Sequence, residues 1–331
     1  MTDPIFNLYY DEIYSSGLDP SARFPVSRYQ KLHHKLKQVD HGNSIHWASP
    51  DLAKVDDILL VHDEQYVERF LDGQLTEKER RRIGLRPWRD SIVERTLRLT
   101  GGALAALHDI FQGQSIAGNM AGGTHHAFRD QGAGYCIFND LAICAEKALQ
   151  EKDVNRVLIL DLDVHQGDGT AEIFKQDDRV FTVSLHGLNN FPFRKKVSNW
   201  DVGFENETGD EEYLESLSKV LDHLRSMNFD LLFYQAGVDG LATDALGLLA
   251  LSRRGLAKRN QLVMDWCEEM NMPMVVFMGG GYAKPIEDTV DAFTDLFMEA
   301  AKRVKKDVTA TDSFPKISLD EVKYKGTEPT W

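Results

Sequence analysis

Cysteine is scarce in this chain, and its scarcity excludes two ways of organising a fold. Only Cys136, Cys144 and Cys267 occur among 331 residues, an odd number with no C-x-x-C spacing. Neither a disulfide framework nor a structural thiolate zinc site fits that count, and a reduced, cytoplasmic setting is expected. Long apolar runs are absent as well, and nothing approaches the roughly 18 consecutive apolar residues that a membrane span needs. Met1 to Tyr10 carry no basic lead and no sustained apolar core, so they do not read as a secretory signal. No Gly/Ser- or Pro-rich linker interrupts residues 1–300, and no solenoid period recurs. One catalytic-sized domain over 1–304 is therefore expected, followed by a polar tail over 305–331. Positive charge is also in deficit. Lysine and arginine total 38 against 52 aspartates and glutamates, a net charge of −14. Such a chain is not expected to bind nucleic acid, and it is compatible with cationic substrates.

Against these absences stand four short, continuous apolar runs, which read as buried parallel strands because they do not alternate. They are Val157 to Asp163, Val180 to Leu185, Leu231 to Gln235 and Met274 to Met278. Helical spacing separates them, as in Asp210 to Met227 and in Ser252 to Met270, where Ser252 is the expected N-cap. Upstream, Ser91 and Glu94 have the spacing of a capping box. Strands alternating with helices predict a single-domain, doubly wound α/β fold with a mainly parallel sheet flanked by helices. Ligands of such sheets sit beyond the carboxyl ends of the strands. Three of the four runs end in chemically loaded sequences: Asp161 to His165, Gln235 to Asp239, and Gly279 to Tyr282.

Asp161, Asp163 and His165 stand at i, i+2 and i+4, which on a strand would place them on one face. Two carboxylates and an imidazole crowded there are best reconciled by a cation, with Asp239 as a further carboxylate. Two carboxylates and one histidine leave a position open for water, which suits a catalytic zinc, and iron(II) is accepted by the same donors. The competing reading is a hydrogen-bonded turn in which Asp161 and Asp163 cap the Gly167 to Thr170 segment. His125 and His126 follow the glycine-rich Ala121 to Thr124, and Asp161 and Asp168 are candidate partners that would fix their tautomers. Tyr282, after three glycines, could donate to a developing oxyanion or could simply be a core tyrosine at a helix start.

Taken together, GGTHHAF (122–128), GAGYCIFND (132–140), DLDVHQGDGT (161–170), VSLHG (183–187), QAGVDGLATDALG (235–247) and GGGY (279–282) resemble the histone deacetylase-like amidohydrolases of the arginase/deacetylase superfamily. RFPVSRY (23–29) and VHDEQYV (61–67) are similar to its N-terminal signatures. The likeness is greatest to the class IV branch and its bacterial relatives, some of which prefer long fatty acyl groups. The resemblance implies the arginase/deacetylase fold and zinc ligands Asp163, His165 and Asp239. It implies a tandem acid/base pair, His125 and His126, supported by Asp161 and Asp168, with Tyr282 polarising the carbonyl. It implies a structural potassium site at Asp161, Ser184 and the carbonyl oxygens of Asp163, His165 and Leu185. Gly134 would floor the substrate channel, and Tyr135 and Phe191 would flank it. Two departures bear on substrate fit: Tyr135 stands where many relatives have phenylalanine, and Arg194 to Asn206 lacks the usual glycine-rich turn.

The expected activity is hydrolysis of an N-acyl amide, with acylated lysine in a peptide or protein, or an acylated small amine, as substrate. Alternatives within the superfamily are an acetylpolyamine amidohydrolase, an acetoin-utilisation-type deacetylase and a two-manganese ureohydrolase; from another class comes a non-catalytic acyl-lysine binding module. No heptad pattern points to a particular oligomer.

Overall fold

The computed structural model describes residues 5–304, so the expected tail over 305–331 lies outside the described residues. Eight strands form one sheet: β1 (Phe6–Tyr9), β2 (Ile45–Ala48), β3 (Ile116–Asn119), β4 (Val157–Asp161), β5 (Val180–Gly187), β6 (Trp200–Phe204), β7 (Leu231–Gln235) and β8 (Met274–Phe277). Their order is β2-β1-β3-β8-β7-β4-β5-β6, and every neighbouring pair runs parallel. The expected α/β architecture is present. Every residue of β4, β7 and β8 is buried, as strands covered by helices on both faces require. The four strands missing from the sequence reading are short or at the rim. β1, β2 and β3 have four residues each, too few for a periodicity, and β6 alternates between exposed and half-buried until its last residue.

Two boundary expectations need correction. β4 stops at Asp161 and β8 at Phe277, because the residues that follow leave the sheet to build a loop cluster at its carboxyl edge. The capping box at Ser91 and Glu94 does not form. Ser91 is the first residue of the helix Ser91–Phe111, and its hydroxyl donates to the Gly17 carbonyl at 3.0 Å. The true capping box is Thr76 with Glu79, ahead of the helix Glu77–Ile83. Ser252 does cap the helix Arg253–Glu269, accepting from the amide of Gly255 at 2.9 Å. No helix among the described residues is long and apolar enough to cross a membrane.

Arg259 connects this framework to the loops above it. It is almost fully buried, yet its guanidinium donates to the carbonyls of Leu162 (3.1 Å), Ala236 (3.0 Å) and Gly237 (2.6 Å), which leave β4 and β7. Those carbonyls have left the sheet ladder, and arginine satisfies them together with charge-assisted bonds. Arg259→Met keeps the length but strands three buried acceptors. It is expected to lower unfolding stability by about 3 kcal/mol in a denaturant titration; a loss below experimental error would show that water replaces the guanidinium.

Candidate active site

The loops that leave five adjacent strands, β3, β8, β7, β4 and β5, converge at one edge of the sheet. After β3 the chain turns through Gly122 and Gly123, and the buried carboxylate of Asp140 captures the turn. It accepts from the amides of Gly123 (3.1 Å) and Thr124 (2.8 Å) and from the Thr124 hydroxyl (2.6 Å). His125 and His126 emerge from this clamp with ring centroids 4.0 Å apart. The Nδ1 of His125 meets Asp161 Oδ2 at 2.6 Å, and the Nδ1 of His126 meets Asp168 Oδ1 at 2.7 Å. A carboxylate only accepts, so each Nδ1 carries a proton and each Nε2 is left for the site. The two imidazoles nevertheless differ. Burial disfavours charge on His125, but Asp161 and Asp163 outweigh it and raise the pKa to about 9. Burial and the charge of His125 push His126 down to about 4.

Beyond β4 the backbone curls. Asp161 Oδ1 accepts from the amide of Asp163 (3.1 Å), and Asp163 Oδ1 accepts from the amide of His165 (3.0 Å). Asp163 and His165 are therefore not strand residues, and their convergence comes from successive side-chain-to-backbone turns. The cap weighed against a metal site does not form: Asp161 and Asp163 accept from the amides of Asp163 and His165, and the Gly167 cap of the next helix receives no side-chain bond. Asp239 arrives from the loop after β7, and its Oδ1 accepts from the amide of Val164 at 2.9 Å. His165 Nδ1 then lies 3.0 Å from Asp163 Oδ1 and 3.1 Å from Asp239 Oδ2. One donor atom from each of the three falls within 4.8 Å of the others. Burial opposes charge on His165, yet hydrogen bonds to the two carboxylates raise its pKa to about 10. Burial next to Asp163 lifts Asp239 to about 7. The pocket thus favours positive charge between two carboxylates, and its hard oxygen and imidazole donors match zinc or a similar divalent ion.

The channel to this cluster opens into a mouth of about 650 Å³ that Gly134, Tyr135, Phe191 and Tyr282 help to line. The Phe191 ring is 4.9 Å from that of His126, and Tyr135 and Tyr282 are 6.0 Å apart. Gly134 has φ +53°, and a Cβ there would come 2.5 Å from the His126 ring, so only glycine leaves the floor open. Gly280 is equally constrained: its amide donates to Asp163 Oδ2 at 2.8 Å, and a Cβ would lie 1.9 Å from Asp239. Tyr282 is fixed by its amide, which donates to Asp244 Oδ2 at 2.6 Å, and by the Arg28 guanidinium 5.4 Å from its ring. Arg28 in turn donates to the carbonyls of Gly281 and Gly279, both at 3.1 Å. Burial holds the Tyr282 phenol far above its ordinary pKa, so it remains an O–H donor.

The structure gathers His125, His126, Asp161, Asp163, His165, Asp168, Asp239 and Tyr282 in one place. Ser184 and Leu185 lie to the side on β5, where the register sets Ser184 opposite Asp161. The Ser184 hydroxyl is 3.0 Å from His186 Nδ1. Sequence reasoning passed over Gln235, whose amide donates to Gly123 O (3.1 Å) and Asp163 Oδ2 (3.4 Å), and it passed over Asp140, Arg28 and Asp244. A lone amide closing the apolar strand LLFYQ was the available signal.

The family model described as the histone deacetylase domain matches residues 22–297. An uncharacterized protein of Picosynechococcus sp. is 41% identical over 86% of this chain and 95% of its own length. The acetoin utilization protein AcuC of Staphylococcus aureus is 31% identical over 71% of this chain and 66% of that protein. Histone deacetylase 2 of Arabidopsis thaliana is 30% identical over 72% of this chain and 63% of that protein. Among solved structures, an HDAC homologue complexed with SAHA superposes with a TM-score of 0.76 at 24% identity, over 91% of this chain and 85% of that one. The chain belongs to the histone deacetylase family, and as a member it is an amide-hydrolysing enzyme of the deacetylase kind.

Proposed function

We propose that this chain removes acyl groups, acetyl or longer, from lysine side chains, and that the reaction takes place where the channel meets Asp163, His165 and Asp239. The observation that carries this reading is the pairing of two buried His–Asp dyads with a three-donor cluster at the end of one aromatic-lined channel. Asp163, His165 and Asp239 would hold a zinc ion. The chemistry supplied by zinc between these donors is Lewis acidity towards a carbonyl and a water molecule. A second cation, potassium, would sit against Asp161, Ser184 and the carbonyls of Asp163, His165 and Leu185, a role supported by the Asp161–Ser184 register.

The remaining work falls to side chains of this protein. His126, neutral and held by Asp168, accepts a proton from the attacking water at Nε2. His125, charged through Asp161, stabilises the negative charge that builds nearby. The proton taken by His126 is returned to the departing lysine amine, with His125 assisting. Tyr282 donates its O–H to the carbonyl oxygen as that oxygen becomes anionic. Tyr135 and Phe191 flank the extended methylene chain of the substrate and exclude water from it.

Three outcomes are expected. Tyr282→Phe should leave thermal unfolding unchanged and lower kcat by roughly 10²- to 10³-fold, the scale of a lost oxyanion donor; a variant as fast as the parent would remove the role assigned to Tyr282. Asp163→Asn and His165→Ala should each lose zinc in equilibrium dialysis, and full retention by both would refute the ligand assignment. Matched peptides carrying acetyl-, octanoyl- or myristoyl-lysine, with acetylspermidine beside them, should show chelator-sensitive cleavage of at least one lysine peptide. Cleavage of acetylspermidine alone would transfer the assignment to polyamines.

A further inference from the structure

The charge at the channel mouth differs in kind from that of the chain as a whole. Apart from the two histidines, one of the described residues lining the mouth carries a formal charge, Arg82. It belongs to the helix Glu77–Ile83, sequence EKERRRI, whose two acids are already engaged. Glu77 pairs with Arg81 (3.4 Å) and with Arg86 (3.1 Å), and Glu79 pairs with Arg69 at 2.9 Å. The Arg82 guanidinium donates instead to the side-chain oxygen of Gln131, a neutral partner, and stays exposed.

Its position is fixed by the channel itself. The Arg82 carbonyl accepts from the amide of Gly134 at 3.3 Å, and the Ile83 carbonyl accepts from the amide of Tyr135 at 2.7 Å. The helix end is thus bonded to the channel floor and wall. The two amides in the rim are occupied: Asn189 donates to Asn206, and Asn190 donates to Leu246 O while accepting from the amide of Leu248. Around them Phe191, Phe193, Leu246 and Leu248 are exposed, with Phe193 88% accessible. A cation beside apolar walls interacts more strongly with an opposite charge than one surrounded by water. The net charge of −14 attracts cations from a distance. Beyond a Debye length of about 8 Å that field is screened, and the local charge decides.

We propose that Arg82 selects acyl-lysine substrates that present a carboxylate close to the acylated side chain, a preference that rests on the deacylase reading above. The carboxylate is supplied by an acidic residue flanking the lysine or by the α-carboxylate of the lysine itself. Cationic carriers are disfavoured at the same point.

The test uses the zinc-loaded full chain and acetyl-lysine heptapeptides that differ only in having Glu or Lys on both sides of the acyl-lysine. An Nε-acetyl-lysine with a blocked amine, as free acid and as amide, separates the two carboxylate sources. The wild-type protein should favour the acidic peptide roughly two- to fivefold in kcat/KM, the scale of one exposed ion pair, expressed in KM and fading at high salt. Arg82→Ala should abolish the ratio and Arg82→Glu should invert it; general damage to the fold would lower both peptides alike and leave the ratio unchanged. Equal cleavage by the wild-type protein, or a ratio that survives Arg82→Glu, overturns the inference and leaves the deacylase reading standing. Cleavage of none of these substrates overturns both.

Discussion

The carboxylate of Asp163 joins three segments that would otherwise be independent. One oxygen accepts from the amide and ring of His165, and the other accepts from the amide of Gly280 and the side chain of Gln235. The segment after β4, the last residue of β7 and the segment after β8 therefore meet at a single buried charge. Such a charge is tolerated only when donors surround it, because a carboxylate in a low-dielectric interior costs several kcal/mol on an order-of-magnitude scale unless paired. The donors in turn require glycine. Gly280 must bring its backbone within hydrogen-bond distance of Asp163 and pass Asp239 without a Cβ. The GGG run is thus a steric consequence of the charge cluster it encloses.

A second level of order separates two chemically identical residues. His125 and His126 are adjacent, equally buried and each bonded through Nδ1 to an aspartate. What distinguishes them is distance from the cluster, since the Nε2 of His125 lies 3.8 Å from Asp163 Oδ1. The acidic surroundings hold a proton on His125, and that proton repels a second one from His126. Two groups of the same chemistry are thus pushed in opposite directions by their surroundings, His125 up and His126 down. The parallel sheet makes this arrangement available. Its central strands are buried on both faces, so polar side chains are confined to the carboxyl edge, where the backbone leaves the ladder.

Much of this was legible in the chain. The continuous apolar runs at 157–163, 180–185, 231–235 and 274–278 announced a buried parallel sheet, because such runs have no solvated face, and a strand begins at the start of each. Asp161 and Asp168 were legible as candidate partners of His125 and His126, because buried imidazoles need acceptors, but the fold decides which aspartate each histidine takes. The strands at 6–9, 45–48 and 116–119 were not legible, since Asn7, His46, and Gly118 with Asn119 interrupt runs only four residues long. The failed capping box at Ser91 shows the limit of local pattern. A serine hydroxyl spent on the Gly17 carbonyl, 74 residues away, has none left for its own helix.

By itself, the sequence determined which side chains had to be desolvated together, the α/β alternation that buries them, and the kind of chemistry that four aspartates, three histidines and a tyrosine can perform. Those properties depend on residue type and local spacing, which the linear chain displays in full. Only the tertiary structure decided how the groups meet. Asp163 and His165 converge through turns and not along a strand, the two histidines feel opposite shifts from their surroundings, and Arg82 stands at the mouth with the acids of its own helix given to other arginines. Each of these outcomes is set by distances between residues far apart in the chain, and electrostatic energy depends on distance through space, whatever the separation in sequence.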